Sequence, residues 1–235
     1  MDALLKKIFV GVPKTVGSKE AKDPMDREWR SGIFKEPIQG NIWVGKTNVA
    51  GDGQADLKHH GGPEKAVFSY PNEHYAYWQN ELNHPHITAG GMGENFLMEN
   101  MTEEMISIGD TFQIGEAIIQ VSQPRQPCWK PARRFKMKEL ALLLQNTGRT
   151  GWYFRVLQEG FVEEGQKFTL LERPFSKWTI EKCNQIMHME KDNLEEAREL
   201  ANCELLAINW KTTLHNRVEK GEISNIRNRI IGPNE

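Results

Sequence analysis

The segment QPRQPCWKPARRF, residues 123–135, surrounds one cysteine with prolines and cations. Arg125, Lys130, Arg133 and Arg134 flank Cys128, while Pro124, Pro127 and Pro131 restrict the backbone on both sides. A cysteine kept for packing sits more naturally among aliphatic neighbours. Nearby cations favour the thiolate, lowering the pKa from about 8.5, and the thiolate is the form that attacks electrophiles and binds soft metals. Arginine also presents a planar fork suited to phosphate. A thiolate beside such a fork is what a metal held by a phosphorylated organic cofactor requires. A half-buried cysteine with solvated basic neighbours would fit the same residues.

Two glycine-bearing segments could complete a site. In VAGDGQADLKHHGGPEKAVFSYP, residues 49–71, Gly51, Gly53, Gly61 and Gly62 permit close approach of the backbone to a ligand. Asp52, Asp56, His59, His60 and Lys65 supply polar groups there. Adjacent histidines in an extended strand face opposite ways, so His59 and His60 are poor joint ligands for one zinc ion. The spacing matches neither a phosphate-binding Walker loop nor an EF-hand. In TAGGMGENFLMEN, residues 88–100, Gly90, Gly91 and Gly93 precede Glu94 and Asn95, and such a loop can turn amide N–H groups toward an oxyanion. Each segment, taken alone, also reads as an ordinary polar turn.

The elements that must hold these residues are mainly strands up to Pro174. KIFVGV and GNIWVG are short β-branched and aromatic runs bounded by glycine or proline. DTFQIGEAIIQVSQ alternates apolar and polar residues around Gly115-Glu116, which predicts a hairpin running directly into the cysteine segment. A second hairpin is predicted for GFVEEGQKFTLLER, with Glu164-Gly165 at its tip. Helices are predicted for residues 71–82, with Tyr75, Trp78 and Leu82 on one side, and for MKELALLLQNTG, ending near Gly148. After Pro174 the pattern turns helical, with apolar stripes at Ile180/Cys183/Met187, Leu194/Ala197/Ala201 and Leu206/Trp210/Leu214. The expected organisation is a β-barrel domain decorated by helices over residues 1–174 and a small three-helix domain over 175–235.

Composition sets the outer bounds. A chain of 235 residues supports one large domain with a small appendix. A net charge of −2 gives no global attraction to nucleic acid or an anionic membrane. No long apolar run or secretory signal is evident. The three dispersed cysteines, Cys128, Cys183 and Cys203, make no disulfide framework, so reduced thiols in the cytoplasm are expected. Cys183 and Cys203 lie on apolar stripes and are assigned to packing.

IFKEPIQG, GDGQADLKHHGGPEKAV, YPNEHYAYW, GGMGENF, IGDTFQIG and QPRQPCWKPARRF, in this order, resemble MOSC-domain proteins, named for the C-terminal domain of molybdenum cofactor sulfurase. The similarity is strongest to a YiiM-like branch, in which a three-helix domain follows a MOSC-type β-barrel, and it spans about residues 6 to 222. The resemblance implies a molybdenum cofactor (molybdopterin) whose metal takes a thiolate from Cys128. It further implies reduction of small N-hydroxylated compounds such as hydroxylamino purines, a detoxifying reaction. No flavin, iron–sulfur or dinucleotide signature is present in the chain, so electrons are expected from a separate reductase. Arg125, Lys130, Arg133 and Arg134 are candidates for the cofactor phosphate. Gly51, Asp52, Gly61, Gly62 and Gly93 are candidates for cofactor contact in the glycine loops, and Asp56, His59, His60, Lys65, Glu94 and Asn95 for orienting the cofactor or moving protons.

Three other readings remain open on sequence. The chain could carry the cofactor or relay sulfur without turnover of its own. Cys128 could act as a metal-free nucleophile if His59 or His60 approaches it in the fold. The helical segment could be a DNA-binding helix-turn-helix, against which stand Glu190, Asp192, Glu195, Glu196, Glu199 and Glu204. No nucleic-acid or membrane partner is expected.

Overall fold

Phe112, Ile114, Ala117, Ile119 and Val121 are all fully buried, so the alternation that predicts the central hairpin points these side chains into one interior. The hairpin consists of β8 (Thr111–Ile114) and β9 (Ala117–Pro124), joined through Gly115 at φ +52°. The structure is a computed structural model that describes residues 2–222 and 225–235. Preceding the hairpin are β1 (Leu4–Val10), β2 (Lys14–Val16), β3 (Trp29–Ser31), β4 (Glu36–Ile38), β5 (Ile42–Val44), β6 (Val67–Pro71) and β7 (Phe96–Glu99). Following it are β10 (Trp152–Gln158), β11 (Gly160–Val162) and β12 (Thr169–Glu172).

Eight strands form one sheet in the order β12-β8-β9-β10-β6-β7-β1-β4. All neighbours are antiparallel except β6 and β7, which run parallel because helix α1 (Glu73–Glu81) lies in the connection between them. The sheet curls until its two ends nearly meet: Gly165 donates to the Leu5 carbonyl at 2.7 Å, and Phe168 to that of Ala3 at 3.0 Å. Closure satisfies strand edges that would otherwise be open. The same contacts overturn the second hairpin. β11 pairs with β5 and β12 with β8, so the turn around Glu164-Gly165 leads from a two-stranded ribbon to the barrel edge. The distant β1 backbone takes the hydrogen bonds that a local hairpin would have made.

Two apolar clusters flank the sheet. One fills the barrel interior with Phe96, Phe112, Trp152 and Phe154 and continues into Trp178, Ile180, Cys183, Leu200, Trp210 and Leu214 of the helical segment. Helices α4 (Ile180–Asn184), α5 (Leu194–Ala201) and α6 (Ile208–Lys220) therefore share a core with the barrel. The other cluster packs α1 and α3 (Leu140–Thr147) against the outer sheet face around Tyr70, Trp78 and Leu144. Burying such side chains contributes roughly 1.5–3 kcal/mol each. Two short helices were not anticipated from the sequence: α2 (Trp129–Arg134), and α7 (Arg227–Ile230), which follows the three-helix segment. No helix among the described residues is long and apolar enough to cross a membrane.

Candidate functional site

Cys128 ends the loop that leaves β9 and is the residue before α2, with φ −127° and ψ 170°. Its carrier strand lies between β8 and β10, and Arg125 N–H donates to the Gly151 carbonyl at 3.0 Å. A fixed sheet thus delivers the thiol to the mouth of the loop, where it is half-buried, whereas Cys183 and Cys203 are buried. The assignment of those two to packing agrees with their positions.

Burial would raise the Cys128 pKa, but hydrogen bonding to His60 and the charges of Arg125 and His60 overcome it and bring the thiol down to about 6. His60 reaches the thiol because Gly61 and Gly62 both take positive φ, +75° and +83°, a turn that a side chain would strain. The turn is anchored from beneath: Ser122 Oγ donates to the Glu64 carbonyl at 2.6 Å, and Arg155 bonds the Glu64 carboxylate at 2.6 Å and the Leu205 carbonyl at 2.8 Å. Lys130 Nζ sits 3.5 Å from His60 Nδ1, and Asp56 is 3.9 Å from the same nitrogen. His59 faces away and pairs with Asp56 at 2.8 Å.

Arg125 is the most informative cation. It is 5% exposed, packs 5.4 Å from the Phe68 ring centre, and leaves Nη1 buried without a hydrogen-bond partner. A buried guanidinium nitrogen with no partner costs free energy that an anionic ligand would recover. Tyr153 lies in the same electrostatic neighbourhood, and burial raises its phenol to about 12. Lys65 stands over that ring, 6.0 Å from its centre, and donates to the His59 carbonyl at 2.8 Å.

The remaining predicted residues are placed differently. Arg133 is taken up elsewhere, packing against the adjoining Trp29 and Trp129 rings and donating to the carbonyls of Pro24 and Pro233. Arg134 donates to the Ile33 and Gly90 carbonyls and lowers the charge cost of Glu94. Neither is among the groups acting on Cys128. Glu94 is fully buried and accepts from Tyr75 Oη and Gly90 N–H, each at 2.6 Å, and burial pushes its carboxyl upward. Gly93, at φ +87°, lets this loop pass Ile33. Asn95 ties strands together, accepting from Phe68 N–H and donating to the Phe9 carbonyl. Gly51, at φ +79°, precedes Asp52, whose carboxylate accepts from Gly11 N–H at 3.0 Å and pairs with buried Lys35 at 2.5 Å.

Residues beyond the resemblance close the other side of the loop. Arg229 of α7 donates to the Pro127 carbonyl and to Gln145 Oε1, the latter at 2.6 Å. Asn234 donates to the Trp129 carbonyl at 3.2 Å, so the tail grips the peptide groups on both sides of Cys128. Burial brings the Arg229 guanidinium down to about 10, with Cys128 favouring its charge and Arg125 opposing it.

Among the described residues there is no cluster of three or more His, Cys, Asp or Glu able to hold a metal ion. A metal bound at Cys128 must therefore bring most of its ligands with it. Accessible thiolate, adjacent cations and an unpaired buried Arg125 nitrogen fit an anionic metal cofactor.

Comparison with known proteins places the chain in a family. A family model described as the MOSC domain matches residues 56–169, and one described as a YiiM-like three-helix domain matches 178–221. The protein YiiM of Escherichia coli is 36% identical over 205 residues, covering 86% of this chain and 91% of YiiM. The chain belongs to the MOSC family, in its YiiM-like branch. A crystal structure of YiiM from Geobacillus stearothermophilus superposes with a TM-score of 0.77 at 35% identity, covering 92% of this chain and 99% of that one. A protein named reductase from Gibberella moniliformis is 38% identical over 163 residues, 68% of this chain but 29% of that longer protein. MOSC domains as a family are associated with molybdenum cofactor binding.

Of the site residues, sequence reasoning singled out Cys128, Arg125 and His60 and missed Tyr153, Lys35, Arg229 and Asn234. Lys35 carries a signal in hindsight, since a lone lysine in IFKEPIQG demands a partner once buried. The tail residues carry none.

Proposed function

We propose that this MOSC protein is a molybdenum-cofactor-dependent reductase of small N-hydroxylated compounds, hydroxylamino purines among them. The observation that carries the reading is a half-buried Cys128 held as thiolate next to the unpaired Arg125 nitrogen. When bound, the cofactor supplies two-electron oxygen-atom transfer. Cys128 would ligate its metal as the thiolate, and Arg125 would neutralise anionic charge on it. Lys65 and Tyr153, packed against each other, would flank the cofactor on one side. His60, hydrogen-bonded to the thiol, would orient it and serve as a relay between thiol and substrate. The overall reaction takes R–NHOH, two electrons and two protons to R–NH2 and water. A separate reductase in the same compartment, for which we take the cytoplasm, supplies the electrons. The longer fungal relative, named a reductase, supports redox chemistry for the fold.

A second reading rests on His60. A histidine hydrogen-bonded to a lowered-pKa cysteine is also the arrangement of a thiol nucleophile. Metal content separates the two. Protein made in cells competent for molybdenum cofactor synthesis should carry near-stoichiometric molybdenum, lost in Cys128→Ser, and should reduce a hydroxylamino purine with a supplied electron donor. Negligible molybdenum in both forms, with thiol-dependent turnover retained by the wild type, would remove the reductase reading.

A further inference from the structure

Behind the cysteine loop, bordered by α3, α6 and the tail, lies a cavity of about 70 Å³ whose walls include Gln145, His188, Lys191, Thr213, Arg217 and Arg229. That space exceeds what a single water needs and is small for an aromatic ligand. Among the described residues no acidic side chain lines it. Arg217 is 5% exposed and directs its guanidinium to the carbonyls of Ile186 and Met187, both at 2.7 Å. Those carbonyls belong to a π-helical turn, Gln185–Met189, a geometry enriched at functional sites. Arg229 likewise meets only a carbonyl and an amide oxygen. Among the described residues, none of Lys191, Arg217 and Arg229 forms an ion pair with a carboxylate. The nearby Glu190 is taken by Lys182 at 3.3 Å.

An independent observation points to a ligand. His188 Nε2 is buried with no hydrogen-bond partner. Burial and the charges of Arg229, Arg217 and Lys191 lower its imidazole to about 3, so it stays neutral and can offer one N–H. Three cations without a carboxylate partner among the described residues and an unused donor, around one small cavity, call for an anion with several acceptor oxygens.

We propose that this cavity binds a phosphate-class oxyanion between Lys191, His188 and Arg229. The proposal does not depend on the reductase reading. The phosphate could be free or the phosphoryl end of an organic cofactor reaching past Arg229.

The test is calorimetric titration of inorganic phosphate into the metal-free full chain at constant ionic strength. One saturable site is expected, weakened about tenfold by His188→Ala and by Lys191→Ala. Lys191→Glu, at a half-buried position away from the core, should abolish binding while circular dichroism and thermal unfolding confirm the fold. Absence of saturable heat, or equal affinity in all these variants, overturns the site. Repeating the titration with cofactor-loaded protein identifies the source. Lost binding assigns the cavity to the cofactor's own phosphate, and retained binding assigns it to free phosphate.

Discussion

Replacing His60 by alanine should reverse the acidity of Cys128. In the folded protein burial acts upward on this thiol, and the His60 hydrogen bond is the largest influence acting downward, ahead of Arg125. With a pKa of about 6, roughly nine-tenths of the thiol is ionised at pH 7. Without His60 the upward push of burial remains, opposed mainly by Arg125. A midpoint near 8 would leave about one-tenth ionised, so alkylation by iodoacetamide at pH 7 should slow about tenfold. Above pH 9.5 the two proteins should react at nearly equal rates. Mass spectrometry assigns the label to Cys128, since Cys183 and Cys203 are buried. The linkage has a definite sign: because the folded-state pKa is depressed, the thiolate's stabilising contribution is present above the unfolded value of about 8.5 and is lost as pH falls through 6. A wild-type midpoint at or above 8.5, or a variant midpoint still near 6, would refute this account of the site.

Asp52→Asn should destabilise the protein by about 3–5 kcal/mol, because it strands the Lys35 ammonium in the interior, while a Lys35→Met/Asp52→Leu double replacement should recover much of the loss in urea unfolding. Gly232→Ala would drive a methyl group into the Trp129 ring at a φ of +53°, so the tail should lift. The expected result is faster Cys128 alkylation at high pH with an unchanged far-ultraviolet spectrum, and an unaltered rate would show that the tail does not shield the thiol.

The central hairpin and the stripes after Pro174 were legible because a period-two pattern and a helical period each mark a buried face directly. Cys128 and Arg125 were legible because a thiol among cations and prolines is chemically unusual. The basic residues of that segment look equivalent in sequence, yet α2 sends Arg133 and Arg134 to opposite structural tasks on its far side. Sequence also marked Glu164-Gly165 as a hairpin tip, where turn chemistry was right and strand partners were set by the closure of the barrel onto β1. Arg229 and Asn234 could not be found, since four-residue α7 has no usable period and its contacts lie about a hundred residues away.

That remoteness bears on how the site is assembled. Arg229 meets Pro127 across 102 residues, Asn234 meets Trp129 across 105, and Arg134 meets Ile33 across 101. Contacts of such span reward the chain only after long loops have closed, so the cysteine loop gains its tail contacts late in folding. The tail hydrogen bonds to the carbonyls of Pro127 and Trp129 involve no strand of the sheet, so their loss would leave the barrel's own hydrogen bonds in place.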